Sequence, residues 1–461
     1  MSMLFLALVV LHLTVAGVLG YGAWAALQRI RICTALLAGL AGYHVLALPS
    51  VYAFLDQFGV DVVIQGELVA LLGAVLIVGV LEGLERVNQH SSHRSFEPVV
   101  QAVGEKPGNY LVIALSALAV VVMITARRGV VVLDSTWEDA RDALGFADSV
   151  ATLLLFMALP VCWVVWRSGK HLPAVGLFLL SLLLISIYGS RAAFLTIPAI
   201  VAFDLHTRRR LTSSKSALMW GAIALLLAVM VLHVTGRFVR GIGLGGLISI
   251  AQGRFAPEEG ILDFIANIDW TGGESDIFGY YYFVLSENYI PGVEPMATVL
   301  RWVLMYVPRS WAVDLKPIDP TYMLWTHAAN SGLFDGEMFI RQILDVLKIG
   351  DQGSLHPTFW GEAWMNGGWL GLVVMCSILP LVLYSIDRIL LALPIEVVVL
   401  VAPATIVGYL MVARGNSTIG LGYFAYILPV AWCLVWAVSK LGGLLPKAPV
   451  QRNCGAGLSG E

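Results

Sequence analysis

A histidine and a glutamate stand six residues apart where an apolar segment begins, late in this chain of 461 residues. His356 precedes the segment, and Glu362 falls about one turn into a helix that Thr358 is placed to cap. Histidine is the usual general base near neutral pH, and a glutamate within an apolar helix is costly unless it is paired. The two side chains are therefore candidates to take a proton from a substrate. A loop histidine with a structural role fits the same pattern.

Arginines near the ends of apolar segments, and in the long loop between them, form a second set of candidates. The planar guanidinium group donates paired hydrogen bonds and keeps its charge, which makes arginine the preferred side chain for phosphate. The competing explanation is that they anchor the chain at a membrane interface. The candidate anion-binding residues are Arg191, Arg237, Arg240, Arg309 and Arg414.

Several common catalytic motifs are missing from the sequence. It contains no GxxxxGK[ST] phosphate loop, no HExxH and no GxSxG, so ATP hydrolysis and zinc proteolysis are disfavoured. The cysteines show no metal-binding spacing. We therefore expect a site without a metal ion or other cofactor, and no nucleic-acid partner.

The composition places these candidates in a membrane protein. Hydrophobic residues make up 58% of the chain and charged residues 13%, against about 25% charged residues in a soluble domain. Apolar runs long enough to cross a bilayer recur, so we expect an all-α polytopic membrane protein with about 11 transmembrane helices. The predicted spans are 3–27, 33–55, 62–84, 109–126, 149–166, 172–189, 191–205, 216–235, 359–386, 394–413 and 418–438.

Lysines and arginines in the short loops predict the orientation, because they favour the cytoplasmic side. The run Arg208–Arg210 is the strongest anchor, and it puts the N-terminus outside and the C-terminus in the cytoplasm; Arg127 and Arg128 are exceptions. The long loop is rich in aromatic residues, as is typical of a membrane interface, and we expect short helices there, one around Met296–Tyr306. The predicted divisions are helices 1–8 in residues 1–235, a large external loop in 236–358, helices 9–11 in 359–440 and a cytoplasmic tail in 441–461.

Three segments, in this order along the chain, resemble the O-antigen polymerase and ligase superfamily. Residues 188–195 look like its SRG turn, with Ala192 where glycine is usual. Residues 307–317 are similar to the PR…W…KP stretch of the oligosaccharide repeat-unit polymerases, and residues 356–371 resemble their HP…GE…NG element.

The resemblance implies an integral-membrane glycosyltransferase of C-type architecture in the bacterial inner membrane. It would polymerise undecaprenyl-pyrophosphate-linked oligosaccharide repeat units in the periplasmic leaflet, for O-antigen (lipopolysaccharide) or a related surface polysaccharide. His356 would be the first candidate for the base and Glu362 the second, and the arginines would stabilise the pyrophosphate leaving group. Trp270, Tyr281 and Trp311 would stack on sugars. A chain-length regulator is a further possible partner beside the lipid bilayer.

Two other functions fit parts of the pattern. An O-antigen ligase would share the site chemistry and differ in its acceptor, but ligases more often have asparagine where Pro357 follows His356. A lipid-linked glycan transporter or flippase would suit discontinuous helices and an intramembrane arginine. However, no internal repeat stands out, and a long cationic external loop is unusual for a carrier. The PR…W…KP stretch favours the polymerase.

Overall fold

The computed structural model describes residues 2–29, 31–88, 107–128, 146–188, 191–207, 276–307, 315–331 and 356–444. Within these ranges the chain is helical and contains no strand. The described part of the chain contains six helices that are long and apolar enough to cross a membrane, which confirms the all-α membrane class. They are Met3–Gln28, Val60–Val87, Val150–Arg167, Gly368–Ala392, Ile395–Arg414 and Ser417–Lys440. Shorter apolar helices occupy four further predicted spans, and the predicted span 216–235 lies outside the described residues.

The helices follow one another in a simple chain order. They are α1 (Ser2–Gln28), α2 (Thr34–Ala47), α3 (Val51–Phe58), α4 (Val60–Asn88), α5 (Pro107–Arg128), α6 (Phe146–Arg167), α7 (His171–Tyr188), α8 (Arg191–Thr207), α9 (Asp276–Glu287), α10 (Ala297–Val303), α11 (Pro320–Asn330), α12 (Thr358–Met365), α13 (Gly368–Ala392), α14 (Ile395–Arg414) and α15 (Ser417–Leu444). The short helix predicted around Met296–Tyr306 is present as α10.

Two predicted spans are interrupted. The span predicted at 33–55 is divided by a short 3-10 turn, Leu48–Ser50, where Pro49 lacks an amide hydrogen and cannot continue an α-helix. The span predicted at 359–386 is divided into α12 and α13. Gly367 and Gly368 have φ of 133° and 60° at this break, a conformation that glycine adopts without steric cost.

The core is formed where the long helices pack against one another. Helix α4 lies against α1 and α13, while α14 lies against α2, α6, α8 and α15. Large apolar side chains also cover outward faces: Leu6, Leu179 and Leu370 are 62%, 59% and 66% exposed. Extensive exposed apolar surface is rare on soluble monomers and is expected where a protein contacts lipid.

The two ends of the bundle differ in character. At one end, ion pairs join the turn after α1 to the C-terminal part of α4: Arg29 Nη1 lies 2.8 Å from Glu82 Oε1, and Arg31 Nε lies 2.9 Å from Glu85 Oε1. At the other end, α9 and α10 of the long loop pack on α4, α12 and α15. The candidate site lies at this second end.

Candidate functional site

Three predicted site residues, His356, Glu362 and Arg414, lie around the turn that joins α14 to α15. Gly415 follows Arg414 with φ of 97°, and a Cβ at this position would lie 2.5 Å from the carbonyl oxygen of Thr358. Glycine is therefore required for the turn to approach the start of α12 so closely. This contact brings the end of α14 beside the start of α12.

Glu362 is joined to the first residue of α15. The Ser417 amide donates to Glu362 Oε2 at 3.0 Å, and the Ser417 hydroxyl donates to Oε1 at 2.6 Å. The glutamate is only 1% exposed. A carboxylate at a helix N-terminus is favoured by the free amide hydrogens and by the helix dipole, so Glu362 holds the start of α15 against α12.

The same carboxyl group has an unusual proton affinity. Burial is the main cause that raises the pKa of Glu362 to about 7; the negative charge of Asp319 contributes to this rise, and the hydrogen bonds from Ser417 oppose it. A group with a pKa near the working pH can both take and return a proton. Glu362 therefore has the proton affinity that suits general acid–base chemistry.

His356 has a different electrostatic environment. Burial lowers the pKa of His356 to about 3, and the positive charge of Arg414 lowers it as well, against a hydrogen bond to the backbone of Gly415. The ring is therefore neutral near pH 7. It holds a transferred proton poorly, because general base efficiency is greatest when the pKa lies near the working pH.

Asn366, at the break between α12 and α13, connects the long loop to this site. Its Nδ2 donates to Thr298 Oγ1 at 2.9 Å and to the Glu362 carbonyl at 2.6 Å, and its Oδ1 accepts from the Thr298 amide at 2.7 Å. Trp302 Nε1 donates to Ser417 Oγ at 3.0 Å. Helix α10 is therefore bound to Asn366 at one point and, through Trp302, to Ser417, which itself binds the Glu362 carboxylate.

An ion pair joins α10 to the segment that precedes α11. Arg301 Nη2 lies 3.1 Å from Asp319 Oδ2, and Arg301 Nη1 donates to the Pro317 carbonyl at 2.9 Å. Asp319 also accepts from the amide and hydroxyl of Thr321 at 3.0 and 2.7 Å, which caps the start of α11. This cation of the long loop therefore has a structural partner.

The remaining predicted residues divide into three cases. Arg191 begins α8, directly after the predicted break, and its side chain lies outside the described part of the chain. The sequence predicts Tyr281 as a sugar-stacking residue, but its ring is 0% exposed and its hydroxyl donates to the Gly66 carbonyl at 2.6 Å. Helix α9 enters the bundle, so Tyr281 packs against α4 instead. The other five lie outside the described residues: Arg237, Arg240, Arg309, Trp270 and Trp311.

A second polar cluster lies nearby among the described helices, and the sequence interpretation missed it. His12, His44 and Glu67 come from α1, α2 and α4, and each is buried. One ligand atom from each residue lies within 4.8 Å of the others. A titratable side chain inside an apolar span is itself a functional signal, and that signal was present at all three positions.

Comparisons with protein-family models, with curated proteins and with solved structures give no match to this chain. The chemistry of the site is therefore argued from its own geometry. At the turn between α14 and α15 it offers a buried carboxyl group with a pKa about 7, a neutral imidazole and a permanent cation. These three groups suit a reaction that removes a proton from one reactant and stabilises negative charge on another.

Proposed function

We propose that this chain is an integral-membrane polymerase of undecaprenyl-pyrophosphate-linked oligosaccharide repeat units. It acts in the periplasmic leaflet of the bacterial inner membrane, with about 11 spans and a C-type glycosyltransferase architecture. The observation that carries the proposal is the convergence of His356, Glu362 and Arg414 at one turn, at the end of the bundle that carries the long loop. The sequence predicts all three as site residues from their chemistry, and the segment that resembles the family, residues 356–371, contains His356 and Glu362.

The proposed reaction transfers the growing glycan from its lipid carrier to a new lipid-linked unit. The bond between the anomeric carbon and the pyrophosphate oxygen breaks, a bond to the acceptor hydroxyl oxygen forms, and the hydroxyl proton goes to a base. The pyrophosphate leaves as an anion, so it needs positive charge more than a proton. Arg414 and Arg191 supply that charge in our proposal, together with Arg237, Arg240 and Arg309.

Glu362 is the preferred base in this proposal, and His356 is the second choice. The reason is proton affinity: a pKa of about 7 favours proton uptake at neutral pH, whereas a pKa of about 3 does not. The Ser417 hydroxyl already donates to Glu362 Oε1, so an acceptor hydroxyl can deliver its proton through Ser417 or in its place. His356 then serves as a neutral hydrogen-bonding group beside Arg414.

The test uses purified protein in lipid nanodiscs with synthetic lipid-linked repeat units. Glu362→Gln should lower turnover about 10²–10⁴-fold while lipid-linked substrate still binds. Glu287→Gln is the matched control, because Glu287 pairs with His327 at an exposed position and should leave turnover unchanged. A folded Glu362→Gln protein with normal turnover would transfer the base role to His356, whose replacement by glutamine should then cause the loss.

The two rival functions give different results in cells and in the same assay. Loss of a polymerase leaves a single repeat unit on the lipid A core, whereas loss of a ligase leaves none. A flippase would move lipid-linked substrate across a proteoliposome membrane and would not lengthen the glycan. Glycan lengthening by the purified protein therefore separates the proposed function from both.

A further inference from the structure

The cluster of His12, His44 and Glu67 has the composition of a metal-binding site. The three residues are 0%, 1% and 1% exposed and belong to three helices, α1, α2 and α4. His12 Nδ1 lies 2.8 Å from Glu67 Oε1. Two imidazoles and a carboxylate form a ligand set typical of Zn²⁺ and similar first-row ions.

Hydrogen bonds to backbone carbonyls determine which ring nitrogens are available. His12 Nε2 bonds the carbonyl oxygen of His44, and His44 Nδ1 bonds that of Leu40 at 3.0 Å. A carbonyl oxygen only accepts, so these two nitrogens carry the hydrogens. In the neutral rings the lone pairs are then on His12 Nδ1, which faces Glu67, and on His44 Nε2, which is buried without a hydrogen-bond partner among the described residues. Metal-binding histidines are commonly oriented in this way.

The cluster contains more hydrogen-bond acceptors than one shared proton can satisfy. A proton between His12 Nδ1 and Glu67 Oε1 would join that pair. Within the described part of the chain, His44 Nε2 and Glu67 Oε2 would still have no hydrogen-bond partner. Buried polar atoms normally have one. A divalent cation satisfies all the acceptors at once and neutralises the carboxylate.

We propose that His12 Nδ1, His44 Nε2 and Glu67 bind one divalent transition-metal ion, with Zn²⁺ as the best match and with either the second carboxylate oxygen of Glu67 or a water molecule as the fourth ligand. Tyr282 supports the site from α9, because its hydroxyl donates to Glu67 Oε1 at 2.6 Å. Bonds of about 2.0–2.1 Å to a tetrahedral ion place ligand atoms about 3.3 Å apart. The observed separations, from 2.8 Å up to at most 4.8 Å, include that value.

The ion would act as a structural cross-link beneath the candidate site. It would join α1, α2 and α4, and through Tyr282 it would hold α9. The His44 ring lies 6.3 Å from the Trp360 ring, measured between centroids, and Trp360 precedes Glu362 by two residues on α12. The metal site would therefore support the helix that carries the proposed base without taking part in glycosyl transfer.

The experiment measures metal directly in the purified full-length protein, in detergent and without an affinity tag. After equilibration with Zn²⁺ and removal of free ion, the wild-type protein should retain about one Zn²⁺ per chain by mass spectrometry. X-ray absorption should show two imidazole nitrogens and a carboxylate oxygen at about 2.0–2.2 Å. His44→Ala and Glu67→Gln should lose the ion, and Tyr282→Phe should weaken binding about 10–100-fold.

His171→Ala is the matched control, because His171 begins α7 and its ring contacts that of Trp166 outside the cluster; it should retain the ion. A monodisperse wild-type protein without bound Zn²⁺ would overturn the proposal, and so would a His44→Ala protein that binds Zn²⁺ normally. If the ligand variants fail to fold, the absorption spectrum of the wild-type protein decides alone. A spectrum without imidazole ligands would then reject the site.

Discussion

Raising the pH from 6 to 8 should increase the initial rate of glycan extension about tenfold if Glu362 takes the acceptor proton. Burial raises the pKa of this side chain to about 7. A base with that pKa is about 9% ionised at pH 6 and about 91% ionised at pH 8. Only the ionised form accepts a proton, so activity is present above the pKa and is lost as the pH falls through it. The pKa of His356, about 3, gives no titration in this range.

The assay measures initial rates in nanodiscs between about pH 5.5 and 8.5, with product lengths read from gels or mass spectra. Both substrate dependence and maximal rate are recorded, because the free enzyme and the substrate complex can titrate differently. Glu362→Gln should remove the step and lower the rate, whereas Glu287→Gln should keep the wild-type profile. A flat wild-type profile, or a step that persists in folded Glu362→Gln protein, would refute the assignment of Glu362 as base.

Three further predictions concern stability and the anion site. Gly415→Ala should lower the free energy of unfolding by about 1–3 kcal/mol, because the new Cβ would lie 2.5 Å from the Thr358 carbonyl oxygen and φ is 97°. Thermal or denaturant unfolding in detergent measures this change, and unchanged stability would contradict the close approach. Arg301→Ala should lower the free energy of unfolding by about 3 kcal/mol in the same measurement, since it leaves the buried Asp319, 4% exposed, without its ion-pair partner. Arg301→Lys should recover part of this loss. Arg191→Ala should abolish glycan extension while the protein still inserts and purifies normally, and long-chain product from this variant would reject its role at the pyrophosphate.

Helix positions could be predicted closely from the sequence because span length and flanking charge are local properties. The prediction 394–413 compares with Ile395–Arg414, and 418–438 compares with Ser417–Leu444. The sequence also made it possible to predict that His356 and Arg414 lie at the same end of the bundle, since both were predicted on the same side of the membrane. The predicted span 359–386 did not include the interruption at Gly367, where two glycines with positive φ divide an otherwise continuous apolar run.

The missed features depend on which helices become neighbours. Thr298 and Asn366 are far apart in the chain, and no spacing rule predicts that they exchange hydrogen bonds. Tyr281 belongs to an aromatic run that also suits a membrane interface, so its burial follows only from the entry of α9 into the bundle. His12 and Glu67 are isolated polar residues in separate apolar helices, and their partnership appears only when α1 and α4 are packed together.

The most direct test of the proposed function is glycan extension by the purified protein in nanodiscs. The reaction contains synthetic undecaprenyl-pyrophosphate repeat units, with no nucleotide and no added metal ion. We predict a ladder of lengthened lipid-linked glycans that depends on active protein and disappears with Arg191→Ala. Binding of the lipid-linked substrate by folded wild-type protein without any lengthened product would contradict the account.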